Sequence, residues 1–281
     1  MADVCSDRLD ALLNRFPVRA HLFHAGTLCG INGLADSEGG RGQLHLVKAG
    51  TLDIVHPGRD PLRVTEPSLL MYPRPMPRQF HTDPERGADM ACADLEFDGG
   101  ATNPLAAALP DVVCVSLREI DGAAPILGVL FDEAFGENCG RYPLIDRLFE
   151  VVLIQMLRHL METGRVAGGM LAGMSHPQLR RALVAMHEQP AHEWTLASLA
   201  DVSGMSRSVF AGAFRDAVGC TPGHYLQGWR VRLTQQALLL GKPLKSIAMD
   251  VGYGSEAALS RAFKAISGMT PREWRQGQER A

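Results

Sequence analysis

The sequence predicts a multidomain α+β protein with a β-rich first half, a long helix and an all-helical last third. Three observations carry this. Up to about residue 115 the chain runs as short apolar stretches broken by Gly, Pro and Asp; from Tyr142 the apolar spacing becomes helical; and a segment near residue 200 returns, altered, near residue 250. Alternating runs of about 4–8 residues between frequent turn residues indicate a β-sandwich or barrel.

Taken in order, "MADVCSDRLDALLNRF" lacks the apolar core of a signal peptide and reads as an amphipathic helix. "GQLHLVKAG" and "GTLDIVHPG" flank Gly50 as the arms of a hairpin, and "RVTEPSLLMYP" and "ADMACADLEFDG" continue the strand pattern. "PLIDRLFEVVLIQMLRHLMETG" is a long helix with Leu144, Leu148, Val151/Val152, Met156 and Leu160 along one side. That side is expected to pack on the β-domain or to pair with its copy in a dimer. The Gly- and Ala-rich Thr163–Pro177 stretch reads as a boundary. The expected organisation is therefore a first domain over 1–165, a linker over 166–177 and a second domain over 178–281.

Composition narrows the classes. With 281 residues, 46% hydrophobic and 21% charged, the chain is ordinary globular material. No run approaches the ~20 apolar residues of a membrane span. The cysteines (Cys5, Cys29, Cys92, Cys114, Cys139 and Cys220) have no regular spacing and no C-x-x-C pair, which argues against a zinc ribbon or a secreted disulfide framework. A cytoplasmic protein with free thiols is expected. The net charge of −3 hides an asymmetry: residues 176–281 carry 13 Lys+Arg against 8 Asp+Glu, and residues 1–175 carry 15 against 23. A basic C-terminal third favours a polyanionic partner there.

The repeat sharpens this. In "LASLADVSGMSRSVFAGAFRDAVGCTP" and "LKSIAMDVGYGSEAALSRAFKAISGMTP", Leu196, Leu199 and Ala200 match Leu244, Ile247 and Ala248. Ser206, Phe210, Phe214, Gly219, Thr221 and Pro222 then match Ser255, Leu259, Phe263, Gly268, Thr270 and Pro271. Each copy reads as a short helix, a tight turn, a Ser N-cap, a second helix, a Gly C-cap and a Thr-Pro start to the next helix. This is a duplicated helix-turn-helix, at 196–217 and 244–266. The connector Pro222–Gly241 reads as a rod helix with Leu226, Trp229, Leu233, Ala237 and Leu240 on one stripe. About 19 helical residues span ~28 Å, close to the ~34 Å between successive major grooves on one DNA face.

On these residues the segment from about 176 to 279 resembles the DNA-binding domain of the AraC/XylS family of bacterial transcription regulators. The family signature falls on Ile247, Ala248, Val251, Gly252, Tyr253, Ser255, Leu259, Arg261, Phe263, Lys264, Gly268, Thr270, Pro271, Trp274 and Arg275. The resemblance implies a sequence-specific regulator, here expected to be an activator that meets duplex DNA and RNA polymerase, as a possible homodimer. Candidate contacts are Ser206, Arg207 and Ser208 in the first copy and Lys245, Ser255, Glu256, Arg261 and Lys264 in the second, with Arg230 on the connector. Arg207 or Arg261 could make the bidentate contact to guanine, and Glu256 could accept from cytosine. Lys245, Lys264 and Arg230 read as phosphate clamps.

The family also implies an effector domain in front, and the strands here resemble a cupin barrel. Metal-binding cupins use a first-motif H-x-H with a following Glu and a later His; here His45 and His81 stand near those places, with Gln43 beside them. Cys29 and Cys92 fall in predicted strands. With His45 and His81 they form the candidate effector or redox site, in which thiolate and imidazole would suit Zn or Cu. Cys5, Cys114 and Cys139 are expected in terminal or loop segments, and His21, His24, His56 and His187 as surface or local residues. The rival readings are a cupin metalloenzyme fused to a helical domain and a ligand-independent DNA binder; no catalytic residues are assigned.

Overall fold

The computed structural model describes residues 7–33, 40–166 and 168–278. It divides into two compact units: one holds Pro17–Ala101 and Leu105–Arg165, the other Val166 onward together with the chain up to Phe16 and Thr102–Pro104.

The first unit is built on two antiparallel sheets. Its strands are β1 (Val18–Leu28), β2 (Ile31–Asn32), β3 (Gly42–Gly50), β4 (Leu52–Val55), β5 (Leu62–Val64), β6 (Ser68–Tyr72), β7 (Gln79–Thr82), β8 (Ala88–Phe97) and β9 (Val113–Ser116). The five-stranded sheet runs β1-β8-β3-β6-β9 and the four-stranded sheet β2-β7-β4-β5. Between them lies a core of Leu28, Val47, Leu52, Ile54, Val64, Leu70, Phe80, Met90 and Cys92. The sheets do not join into the closed barrel expected above. Nor do β3 and β4 form a hairpin: β3 pairs with β6 and β8, and β4 with β5 and β7. Gly50 is the corner at which the chain changes sheet. Its φ of 94° and its position, where a Cβ would fall 2.7 Å from the Gly87 carbonyl oxygen, leave room for glycine alone.

Two helices pack on this unit's large sheet, α3 (Ala124–Phe135) and α4 (Arg141–Thr163), after the short α2 (Pro104–Ala108). The Lys48 ammonium on β3 stands 4.7 Å over the Phe135 ring of α3. α4 buries Ile145, Phe149, Val152, Met156 and Leu160. Of the stripe read from the sequence, Val152, Met156 and Leu160 are buried, whereas Leu144 remains 42% exposed and Val151 is also exposed. α4 is apolar on two sides, so periodicity alone did not choose its phase. Asp146 and Glu150 of α4 accept hydrogen bonds from the backbone amides of Leu22 (2.8 Å) and Ala20 (3.4 Å) on β1.

The second unit is helical: α1 (Asp10–Arg15), α5 (Gly169–Ser175), α6 (Leu179–Glu188), α7 (Leu196–Ser203), α8 (Arg207–Val218), α9 (Pro222–Leu239), α10 (Leu244–Asp250), α11 (Glu256–Ser267) and α12 (Pro271–Gln278). Two sequence boundaries differ here. The segment read as a linker forms α5, because Met170, Leu171 and Met174 are buried. The leading helix α1 belongs to this unit, because Leu9, Leu12 and Phe16 bury fully and the Phe16 ring meets Trp229 edge-on at 5.3 Å. Gln236 of α9 donates to the Arg15 carbonyl. α9 ends at Leu239, so Leu240, read as part of its stripe, is 72% exposed.

Candidate nucleic-acid interface and sensor interior

Local chemistry sets both helix-turn-helix motifs. Thr195 and Ser198 cap α7 reciprocally, and Gly204, at φ 64°, ends it. Ser206 caps α8 and Ser255 caps α11, each accepting from the amide three residues on; Gly219 and Gly268 end those helices in the left-handed region. Thr221 and Thr270 cap α9 and α12 ahead of Pro222 and Pro271, with Glu273 accepting from the Thr270 amide at 2.7 Å. Phe210, Phe214, Leu259 and Phe263 are fully buried, so the two second helices are pinned by the same apolar positions.

The opposite faces are exposed, and they correspond. On α8 the residues at i, i+4 and i+7 are Ser208, Gly212 and Arg215; on α11 they are Ala257, Arg261 and Lys264, all exposed. Of the predicted contacts, Arg207, Ser208, Lys245, Glu256, Arg261 and Lys264 are exposed. Ser206 and Ser255 are exposed too, with their hydroxyls turned to capping. Arg230 differs: its guanidinium donates to the carbonyls of Pro190 (2.7 Å) and His192 (3.0 Å) and lies 5.4 Å over the Tyr253 ring. It ties the loop before α7 to α9. Arg215 was missed by the sequence reading, although the repeat offset that aligns Phe214 with Phe263 also aligns Arg215 with Lys264.

The interior of the β unit is polar at one end. His45 is fully buried and pairs along the sheet with Cys92 on β8 and Leu70 on β6. The Arg78 guanidinium lies 3.2 Å from His45 Nε2, donates to Gln43 Oε1 and sits 4.0 Å over the Tyr72 ring. Gln43 passes the chain on to Asp94 at 3.0 Å, and Tyr72 meets His56 Nε2 at 3.0 Å. Burial, then the positive charges of Arg78 and His24, hold the His45 imidazole well below its ordinary pKa, hence neutral. Burial pushes the Tyr72 hydroxyl up to about 12, against the pull of Arg78. It also raises the Cys92 thiol far above its usual range.

The four predicted sensor residues are thus not brought together. His45 and Cys92 are neighbours. His81 pairs with Ile31 and Asp53 on the small sheet and its ring meets Gln79. Cys29 lies outside the strands and is exposed, beyond the Leu28–Ala88 pair. Ala88 and Cys92 are four positions apart on β8, roughly 13 Å of strand, well beyond the ~7 Å Cα limit for a disulfide. Among the described residues no three His, Cys, Asp or Glu side chains gather as a metal-binding group. Cys114, expected in a loop, is in β9, and Cys5 lies outside the described residues. His56 and His187, expected as surface or local residues, are buried. His187 bonds the Tyr225 hydroxyl at 2.6 Å and stacks on Trp229 at 4.0 Å.

The two halves match two families of known proteins. Residues 7–162 match the family described as Cupin, and residues 199–277 match the Helix-turn-helix domain. Through residues 7–162 the chain belongs to the Cupin family, and its paired helix-turn-helix is of the AraC type. A putative AraC-like transcription regulator of Streptomyces antibioticus is 46% identical over 132 residues, 46% of this chain and 44% of that protein. The HTH-type regulator AlkR of Acinetobacter baylyi is 39% identical over 49% of this chain and 45% of its own. The matches span a little under half the length of those relatives. An uncharacterized HTH-type transcriptional regulator of Haemophilus influenzae is 26% identical over 85% of this chain and 88% of its own. Among solved structures, ToxT from Vibrio cholerae O395 aligns with 93% of this chain and 97% of that one, at TM-score 0.39 and 10% identity. The DNA-binding domain of AdpA, in complex with a target DNA, aligns with 36% and 93%, at 0.35 and 25%. Among the described residues no helix is long and apolar enough to cross a membrane.

Proposed function

We propose that this protein is a transcription activator that binds promoter DNA through α8 and α11 and is controlled by a signal received in its cupin domain. The observation that carries this is the repeated outward face: Arg215 on α8 and Lys264 on α11 hold equivalent positions, opposite equivalent buried phenylalanines. α9, 18 residues and so ~27 Å long, suits two helices entering successive grooves ~34 Å apart. Arg261 is the proposed base reader, since its fork matches guanine O6 and N7. Arg207, Arg215, Lys245 and Lys264 are proposed phosphate contacts, while α8 presents only Ser208 and Gly212 at its centre and reads few bases. The protein would act as a homodimer and contact RNA polymerase. For the signal, the buried cluster at His45 supports a small-molecule effector better than a thiol pair or a Zn or Cu centre, because Cys29 and Cys92 lie too far apart.

Fluorescence anisotropy of the full chain on its own upstream DNA checks this. About four phosphate contacts should make affinity fall ~100-fold between roughly 50 and 200 mM salt. Absence of binding to that DNA, or binding indifferent to salt, overturns the reading.

A further inference from the structure

We propose that Arg230 is a positioning residue: it clamps the loop before α7 to the turn before α11, so that α8 and α11 meet DNA as one rigid pair. This rests on the reading above that both helices enter DNA, and it assigns what holds their setting besides α9.

The loop is gripped from two directions. From α9, the Arg230 guanidinium donates to the Pro190 carbonyl at 2.7 Å and to the His192 carbonyl at 3.0 Å. Between those residues the Ala191 peptide lies against Gly252, where an added Cβ would fall 2.5 Å from the Ala191 carbonyl oxygen and 2.7 Å from its Cα. The same guanidinium stands 5.4 Å over the Tyr253 ring, within reach of a cation–π contact. Three successive loop residues are therefore held by α9 and by the turn of the second motif together. A planar fork with donors in fixed directions can span two carbonyls and still lie on a ring; an ammonium cannot.

Both ends of this clamp are stiff, so it transmits position. On the side of the first motif, the Trp194 amide donates to the His192 carbonyl at 2.9 Å and the Trp194 indole N–H to the Gln189 carbonyl at 3.0 Å. The next residue, Thr195, closes the capping box of α7, which packs on α8. On the side of the second motif, the Tyr253 amide donates to the Ala248 carbonyl at 2.7 Å and the Gly252 amide to the Met249 carbonyl at 3.1 Å. These fix the turn to the end of α10, and Ser255, two residues on, caps α11.

α9 sets how far apart the motifs lie; a tie away from the rod resists their swinging about it. Two binding elements held in register engage DNA as one event, each raising the effective concentration of the other. Once the tie is cut, α8 is the helix that comes away. It offers the phosphate contacts of Arg207 and Arg215, whereas α11 also carries the base reader Arg261.

Hydroxyl-radical footprinting of the full chain on its own upstream DNA tests this, with salt dependence followed by anisotropy. Wild type should protect two backbone segments about one helical turn, ~34 Å, apart, and Arg215→Ala identifies the one under α8. At concentrations that protect the α11 segment equally, Arg230→Ala should lose protection of the α8 segment. Its salt slope should fall by about two, for the contacts of Arg207 and Arg215 together. Arg230→Lys, unable to span both carbonyls, should act in the same direction, and serves should Arg230→Ala fail to fold. Tyr253→Phe keeps the ring and should footprint like wild type. The clamp is overturned if both segments fade together or if the α8 segment stays protected in the folded Arg230 variants. A slope that falls by only about one, as for a direct phosphate contact, overturns it too. In each of these cases wild type still binds, so DNA binding through α8 and α11 stands. A wild-type chain that leaves no footprint overturns that reading, and the clamp with it.

Discussion

The rings of Phe16 and Trp229 meet in a T-shaped contact, with centroids 5.3 Å apart and planes at 63°. The two residues are 213 positions apart in the sequence, and both are fully buried. The leading segment is therefore part of the core of the DNA-binding unit. Phe16→Ala should cost about 3–5 kcal/mol, the usual range for a buried Phe. Urea unfolding followed by tryptophan fluorescence measures it. A fragment beginning at residue 170 should be destabilised for the same reason. A loss below ~1 kcal/mol for Phe16→Ala would show the contact to be dispensable.

The turn of the second motif depends on Gly252. Its φ is 81°, and a Cβ there would lie 2.5 Å from the Ala191 carbonyl oxygen. Gly252→Ala adds the left-handed penalty of ~1–2 kcal/mol to that clash, so a loss of at least about 2 kcal/mol is expected. DNA affinity should fall with it, as α10 and α11 lose their relative setting. Thermal melting and anisotropy on one preparation test both; a variant as stable as wild type contradicts the packing described.

Arg261 and Lys264 should separate by kind. Arg261→Ala should relax preference at one or two base pairs, costing ~1–3 kcal/mol at the cognate base. Lys264→Ala and Arg215→Ala should weaken all sequences alike and each reduce the salt slope by about one. Selection from a randomised operator library distinguishes them. Equal weakening on every sequence would make Arg261 another phosphate contact.

Acid should destabilise the protein well above the carboxylate range. Burial, then the charges of Arg15 and Arg232, holds His187 at about 3. The unfolded chain takes up its proton near 6.5, so between about 6.5 and 3 the unfolded state binds more protons. Stability is full above the unfolded value and declines as pH falls toward 3. Urea midpoints at pH 7 and pH 5 should show a drop, and His187→Gln should shrink it. Equal pH dependence in the variant would place the effect on His45 and His56, whose values are also lowered.

The helix-turn-helix pair was legible because its grammar is local. Ser206, Gly219, Thr221 and Pro222 specify cap, stop, cap and start within a few residues, and Ser255, Gly268, Thr270 and Pro271 repeat them. The β unit was legible only as strands. Two alternating runs on either side of Gly50 look alike whether they pair with each other or part company into separate sheets. The interior cluster was half visible: His45 and Gln43 stood out on one strand, but Tyr72 and His24 come from two others and Arg78 from the loop before β7, and nothing in their spacing announces convergence. Cys29 was misjudged by a single position, since β1 ends at Leu28. The membership of α1 was hidden because an amphipathic helix shows that it must be covered, never by what.

The carboxylates that α4 lays along β1 have a consequence for solubility. β1 is the margin of the large sheet, and the bare amides of such a margin are a template on which another chain can extend the sheet. Asp146 and Glu150 occupy two of those amides with charged acceptors that no incoming strand can imitate. The long helix thus shields the margin as well as covering the core. Neutralising both acids would leave the fold's interior intact while opening β1 to edge-to-edge association.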